Sequence, residues 1–273
     1  MTMKVRPPAV AGSFYPADRA ALAHEVAAYL AAAPSPAPGT RPKAIIAPHA
    51  GYVYSGASAA TAYACLQNAQ PPIRRVVLLG PTHRVPVRGL AVPTVEAFAT
   101  PLGVIPLDQA LREQVLQHPS VVESDPAHAF EHSLEVQLPF LQTILGEGKF
   151  TLLPLAVGDA TPQEVAAVLE LVWGGPETLL VISSDLSHFH PDGEARQIDR
   201  RTAEAILARQ TPLTHTQACG ATPINGLLLA ARRHHLQATL LDLRTSADTT
   251  EVRTDRSRVV GYAAFRFDEE MAS

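Results

Sequence analysis

The sequence predicts an α/β fold, one domain over 1–273, with a central, mostly parallel mixed sheet and helices on both faces. Three observations predict it. Short apolar runs recur along the chain: AIIA at 44–47, VVLL at 76–79, LLPLAV at 152–157 and LLVI at 179–182. Strands buried on both faces read this way. Segments of helical period separate or follow the runs. The alternation lasts through all 273 residues, a length that suits one large α/β domain or two small ones.

The elements follow in order. A helix is predicted over 18–32, with Asp18 as N-cap and Leu22, Val26, Tyr29 and Leu30 on one face. The proline-rich stretch 34–39 stops it and forms a surface connection. The four apolar runs give the central strands. Helices are expected over 56–68, 108–117, 131–145, 162–173, 193–209 and 224–235, and late strands over 239–243 and 259–267. The segment 89–105 carries several prolines and is expected to form an irregular or antiparallel edge.

Composition excludes several function classes. Charged residues make up 18% and the net charge is -4, without the basic face of a nucleic-acid binder. The two cysteines, Cys65 and Cys219, make no disulfide framework and fit a reduced, cytoplasmic protein. The N-terminal stretch has no apolar signal-peptide core. No apolar run approaches the length that a membrane helix needs. The eleven histidines are the unusual count.

Their placement carries the chemistry. Three apolar runs end in a turn that bears histidine: AIIAPHAGY with His49, VVLLGPTH with His83, and LLVISSDLSHFH with Asp185, His188 and His190. In an open α/β sheet, ligands bind outside the carboxyl ends of the parallel strands. All three runs would deliver their side chains to that edge. Two imidazoles and an anionic third ligand suit iron, copper or zinc and leave positions open. Pro48 and Pro81 stiffen the turns, and Gly51 and Gly80 permit close backbone approach. A lone histidine at a strand end is more often a packed loop residue; two at equivalent ends favour a site.

Three residues compete for the anionic place. Cys219 lies upstream of a helix expected to be N-capped by Thr222 with Pro223 at its first position, where a thiolate is favoured. Asp185 would ligate or orient an imidazole. Glu135 is the third. In AHAFEHSLEVQLPFL, His128 and His132 are four apart, as are Glu131 and Glu135. A helix starting near 131 would turn His132 and Glu135 into the crevice, with His132 as a general acid–base; for His128 a His-x-x-x-His site position and a surface helix position stay nearly balanced. His24, His118, His215, His234 and His235 read as solvated and Cys65 as core. No phosphate loop, dinucleotide fingerprint or nucleophile elbow is present.

The segments AGSFYPAD, AIIAPHAGYVYSG, GPTHRVP, EHSLEVQLPFLQ, SSDLSHF and CGATPINGLL occur in this order over nearly the whole chain. In them the sequence resembles the Memo family, whose prokaryotic members are called AmmeMemoRadiSam system protein B. The resemblance implies a fold like that of class III extradiol ring-cleaving dioxygenases, which use non-haem Fe(II). It implies metal-site residues at His49, His83 and Cys219, with His132, His188 and Asp185 at further pocket positions. Phe14 stands where some members carry tryptophan. Phe14, Tyr52, Glu135 and Arg84 are expected to line the substrate pocket. A cysteine in place of a carboxylate would change metal preference and redox behaviour. The family's names imply an AMMECR-like protein and a radical SAM enzyme as partners; nucleic acid and membrane are not expected.

Three functions follow. The first is an iron- or copper-dependent oxidoreductase, with Fe(II) as the first expectation and copper or zinc as alternatives. His132 and His188 would move protons and Asp185 would orient an imidazole. The second is a non-catalytic module whose pocket takes a peptide or phosphopeptide, with Arg84 and Arg88 supplying positive charge. The third is a zinc hydrolase with a metal-activated water.

Overall fold

The computed structural model describes residues 3–36, 41–67, 69–249 and 254–269. The end of the proline-rich connection and the last residue of the helix expected over 56–68 lie outside the described residues, as do both chain ends.

The first half of the chain contains β1 (Val5–Arg6), α1 (Arg19–Ala32), β2 (Pro42–Ala47), α2 (Tyr52–Ala64), β3 (Arg75–Pro81), β4 (Leu90–Val92), β5 (Ala97–Thr100), β6 (Gly103–Pro106), α3 (Gln109–Val115), β7 (Val121–Glu123) and α4 (Asp125–Ala129). The second contains α5 (Leu138–Leu145), β8 (Thr151–Val157), α6 (Pro162–Leu171), β9 (Thr178–Ser183), β10 (His188–His190), α7 (Asp192–Leu207), α8 (Ala221–Arg233), β11 (Leu236–Thr245) and β12 (Val259–Glu269).

The large sheet runs β10-β12-β2-β9-β3-β8-β4-β7, and β11 also pairs with β12. Its centre, β2-β9-β3-β8, is parallel. β12 joins β2 antiparallel, and β4 joins β8 antiparallel. This is the mixed α/β sheet expected, but it is parallel only at its centre and at the β4-β7 edge: four pairings are parallel and four antiparallel, so it is not mostly parallel.

Each central strand is apolar throughout because each feeds two cores. Ile45 and Ala47 of β2, Val76 and Leu78 of β3, and Leu179 and Val181 of β9 pack on the face covered by α1, α2 and α5. Ala44, Ile46, Val77, Leu79, Leu180 and Ile182 pack on the other face, against α6, α7 and α8. A period of two thus splits one apolar run between two helical layers. In α1 the Asp18 carboxylate caps the Ala21 N–H at 2.9 Å, and Leu22, Val26 and Leu30 are buried.

Several local expectations change. The helix expected over 56–68 starts earlier, at Tyr52. Residues 89–105 divide: β4 joins the large sheet, while β5 and β6 form a small sheet with β1. The helix expected over 131–145 does not begin until Leu138, after a single 3-10 turn over Glu135–Gln137. The Glu131 carboxylate takes the N–H groups of His132 and Ser133, each at 3.0 Å, and this side-chain capture replaces the helical ladder. His132 and Glu135 therefore share no helix face. The last long helix, α8, starts at Ala221 with Gly220 as N-cap, so Thr222 lies inside it.

An N-terminal arm closes over this fold. The Glu135 carboxylate, fully buried, accepts from Arg6 Nη1 at 2.6 Å, Ala9 N at 2.8 Å, Val10 N at 2.9 Å and the Tyr15 hydroxyl at 2.6 Å. Arg6 also donates to the carbonyls of His128 and Glu131. A buried pair whose every polar atom is engaged resists removal of either partner. Glu135→Gln, which leaves Arg6 buried against a neutral group, is expected to cost about 3–5 kcal/mol. Urea unfolding of the two proteins measures it; a loss below about 1 kcal/mol, the range of an exposed pair, would show that the arm is fastened elsewhere.

Candidate metal centre

β2, β9 and β3 are consecutive neighbours in the sheet, and their carboxyl ends open on one edge. His49 follows β2 after Pro48, and His83 follows β3 after Thr82. Asp185 follows β9, while His188 opens the short strand β10, which pairs with β12. His132 arrives from the turn that Glu131 organises. Gly80 makes room for that turn: a Cβ there would sit 2.9 Å from Ser133 Oγ and 3.0 Å from Leu134 Cδ2.

The three imidazoles meet. The ligand atoms of His49, His83 and His132 all lie within 4.8 Å of one another. The rings of His83 and His132 stack at 4.7 Å, and His49 meets each edge-on at 5.3 and 5.4 Å. The Cys219 sulfur lies 3.3 Å from His49 Nε2. It is fixed by its own N–H to the Asp185 carbonyl at 3.2 Å and by the Gly220 N–H to Ser184 Oγ at 2.9 Å. Gly220 is needed there, because a Cβ would stand 2.7 Å from that of Ser184.

The hydrogen bonds assign the ring protons. His83 Nδ1 lies 2.9 Å from Glu131 Oε1, and the His83 N–H donates to Glu131 Oε2 at 2.6 Å. Burial alone would raise the Glu131 carboxyl, but the bonds from His83 and the Ser133 N–H outweigh it and hold it at about 2. An ionised carboxylate only accepts, so His83 Nδ1 carries a proton, and in the neutral ring Nε2 then keeps the lone pair. His132 Nδ1 lies 3.3 Å from the same oxygen. His188 Nδ1, 2.8 Å from the Leu186 carbonyl, must donate, so in the neutral ring Nε2 is the acceptor.

The electrostatics favour neutral rings. Burial, then the neighbouring His83, hold His49 down to about 3. Burial and His49 hold His132 down to about 4. Asp185, buried behind His49, is pushed up by desolvation. Its Oδ1 accepts the His49 backbone N–H at 2.7 Å, so it orients the main chain of His49 and not the ring. In the free protein the surroundings of Cys219 favour the thiol over the thiolate. Burial and the Asp185 charge push the thiol up to about 12, and the hydrogen bonds with Asp185, Ser184 and Gly220 offset this only in part.

Above this floor opens a cavity of about 380 Å³. Phe14, Tyr54, His132, Asp185, His188 and Tyr262 are among its walls, and Arg258 stands over Phe189 at 5.0 Å. Phe14 reaches the cavity as expected, with its ring 4.8 Å from that of His132. The other pocket expectations are corrected. Tyr52 is a core residue: its ring packs on Phe140 and its hydroxyl donates to the Val136 carbonyl. Glu135 is consumed by the N-terminal arm and faces neither metal site nor cavity. Arg84 is exposed on the turn beside His83 and is not among the residues lining the cavity.

Glu131, Ser183, Gln137, Tyr54, Tyr262 and Arg258 went unrecognised in the sequence as site residues. The one available signal was polarity at the end of an apolar run, as in the Ser183-Ser184 pair. His128 is not a surface residue: it is buried, and its Nε2 donates to the Ala91 carbonyl at 2.9 Å.

Fold and site together define a class: an α/β protein with an imidazole cluster, spaced for a metal ion, at the carboxyl edge of its parallel strands. The model of the Memo-like protein family matches residues 6–266, and the chain belongs to that family. A MEMO1 family protein of Aquifex aeolicus is 36% identical over 97% of this chain and 100% of the relative. One from Ignicoccus hospitalis is 34% identical over 97% and 99%. The crystal structure of an uncharacterized protein, JW3007, from Escherichia coli K12 shares the fold. It has a TM-score of 0.55 at 15% identity and covers 83% of this chain and 100% of its own. No described helix is long and apolar enough to cross a membrane.

His128 gives the protein a pH-dependent stability. Burial, partly offset by the bond to Ala91, holds its imidazole down to about 4, against 6.5 when unfolded. Between these values the unfolded chain binds the extra proton, so stability is full above pH 6.5 and falls as pH drops toward 4. The full window corresponds to about 3 kcal/mol. Replacing His128 with Gln is expected to flatten the dependence of urea midpoint on pH, leaving the share due to His49 and His132. An unchanged slope would mean that His128 charges freely in the folded protein.

Proposed function

We propose that the protein is a metal-dependent oxidoreductase in which His49, His83 and Cys219 hold one iron(II) ion, with copper as the competitor. The observation that carries this reading is the meeting of the His49, His83 and His132 ligand atoms within 4.8 Å of one another, with the Cys219 sulfur beside His49. Nitrogen and sulfur ligands sharing one tetrahedral ion stand about 3.5 Å apart at ordinary bond lengths. The separation of His49 Nε2 and Cys219 Sγ is 3.3 Å. In the free protein the protonated Cys219 thiol and His49 Nε2 stand at hydrogen-bonding distance, and metal binding would release that proton and put the cation in its place. Two imidazoles with a soft thiolate favour iron, copper or zinc over magnesium or calcium.

The chain's own residues supply the rest. His188 presents a free Nε2 to the cavity and serves as a proton acceptor for a bound substrate. His132, held neutral at the cavity floor, is the second proton carrier. Phe14 and Tyr262 wall the cavity with apolar surface and restrict water. Asp185 holds the His49 backbone in place. Iron(II), when bound, supplies one-electron chemistry with dioxygen.

Elemental analysis of protein purified without oxygen is expected to find about one iron or copper per chain. The content should fall at least tenfold in His49→Ala and in Cys219→Ser, with folding retained. Tightly held zinc with hydrolytic activity lost in His49→Ala would favour the hydrolase. Metal-free protein that rebinds neither iron(II) nor copper(I) would sink the reading.

A further inference from the structure

His49 differs from the other histidines of the site in how its ring is held. The ring is also bonded by the Ser183 backbone, and its Nδ1 faces no carboxylate. It lies 2.8 Å from the hydroxyl of Ser183, the last residue of β9. A hydroxyl can donate or accept, so this contact alone leaves the ring proton undecided.

The surroundings of Ser183 decide it. Ser183 Oγ lies 2.5 Å from the Ser133 carbonyl, which can only accept, so the single hydroxyl proton goes there. Gln137 Nε2 lies 2.8 Å from Ser183 Oγ and 2.9 Å from the Pro48 carbonyl. The Gln137 amide cannot be turned round. Its oxygen would then face the Pro48 carbonyl, and its nitrogen would face the Tyr63 hydroxyl, which now donates to Oε1 at 2.8 Å. The amide therefore fills one lone pair of Ser183, and the only bond left for His49 is to donate Nδ1–H into the other. Tyr63, Ser133, Gln137 and Ser183 are fully buried, so water cannot substitute for any member.

We propose that Ser183, with its second lone pair filled by Gln137, is a positioning residue that locks His49 in the Nδ1–H tautomer. The lock keeps the Nε2 lone pair turned toward Cys219 before any ion arrives. It goes beyond the metal-site reading and rests on it only for its consequence, the affinity of the site. Without the lock, a neutral His49 distributes its proton between the two nitrogens, and the fraction carrying it on Nε2 cannot ligate. Loss of such outer contacts typically weakens metal binding about 10–100-fold.

The test reads tautomer and affinity separately on the full chain. Nitrogen-15 NMR of histidine-labelled, metal-free protein, with the His49 signals assigned by their loss in His49→Gln, is expected to show a single Nδ1–H tautomer. Ser183→Ala should give a mixture. Gln137→Met, which retains the acceptor but frees its second lone pair, should drift less. Anaerobic titration with Co(II), followed by its visible absorption, should give about 10–100-fold weaker binding in Ser183→Ala. A proton on Nε2 in the unmodified protein overturns the proposal, whether or not the variants fold. So does a Ser183→Ala protein that retains both the tautomer and a Co(II) affinity within about twofold. Failure of the unmodified protein to bind Co(II) would strike at the metal reading alone, because the tautomer is measured without metal.

Discussion

Two buried acceptors shape the candidate site. The Glu131 carboxylate takes the Nδ1 proton of His83, and the Ser183 hydroxyl takes that of His49. Each fixes which nitrogen of its ring keeps a lone pair, and both turn that lone pair inward. Without these acceptors the imidazoles would be neighbours in space but not a ligand set. Glu131 also takes the backbone N–H groups of His83, His132 and Ser133, so one side chain sets two histidines and the turn that bears one of them. The cost is a helix: the N–H groups of His132 and Ser133 point at a carboxylate, and the regular α-helix does not start before Leu138.

The same short segment serves two masters. Glu131 faces the imidazoles, while Glu135 faces the N-terminal arm and binds Arg6, Ala9, Val10 and Tyr15. Fastening the arm brings Phe14 against His132 and passes the Phe14 carbonyl to the Tyr52 N–H at 2.8 Å. The first turn of α2, which follows His49, is thereby tied to the start of the chain. Site and arm are mechanically one unit, and the cavity wall depends on a contact well away from the imidazoles.

Membership in the Memo-like family and an imidazole cluster suited to a metal fit this geometry without naming a substrate. The cavity mixes aromatic walls, two histidines, an aspartate and an arginine.

The sequence by itself determined the α/β class, the central strands and their order-independent role, and the edge to which His49, His83 and Asp185 are delivered. Those features depend on hydrophobic period and on chain order along a strand, which are local properties. Phe14 was legible only through a motif, and its place beside His132 needed the arm. Tyr52, Glu135 and Arg84 were misplaced for one reason. Proximity along the chain to His49, His132 and His83 does not say which way a side chain turns once a helix starts early or a turn replaces one. Tertiary structure alone decided that Glu131 and Ser183 hold the ring protons and that Cys219 meets His49 across 170 residues of chain. Such partners are set by where strands and turns pack, and a hydroxyl's choice between donating and accepting is fixed only when every neighbour is known.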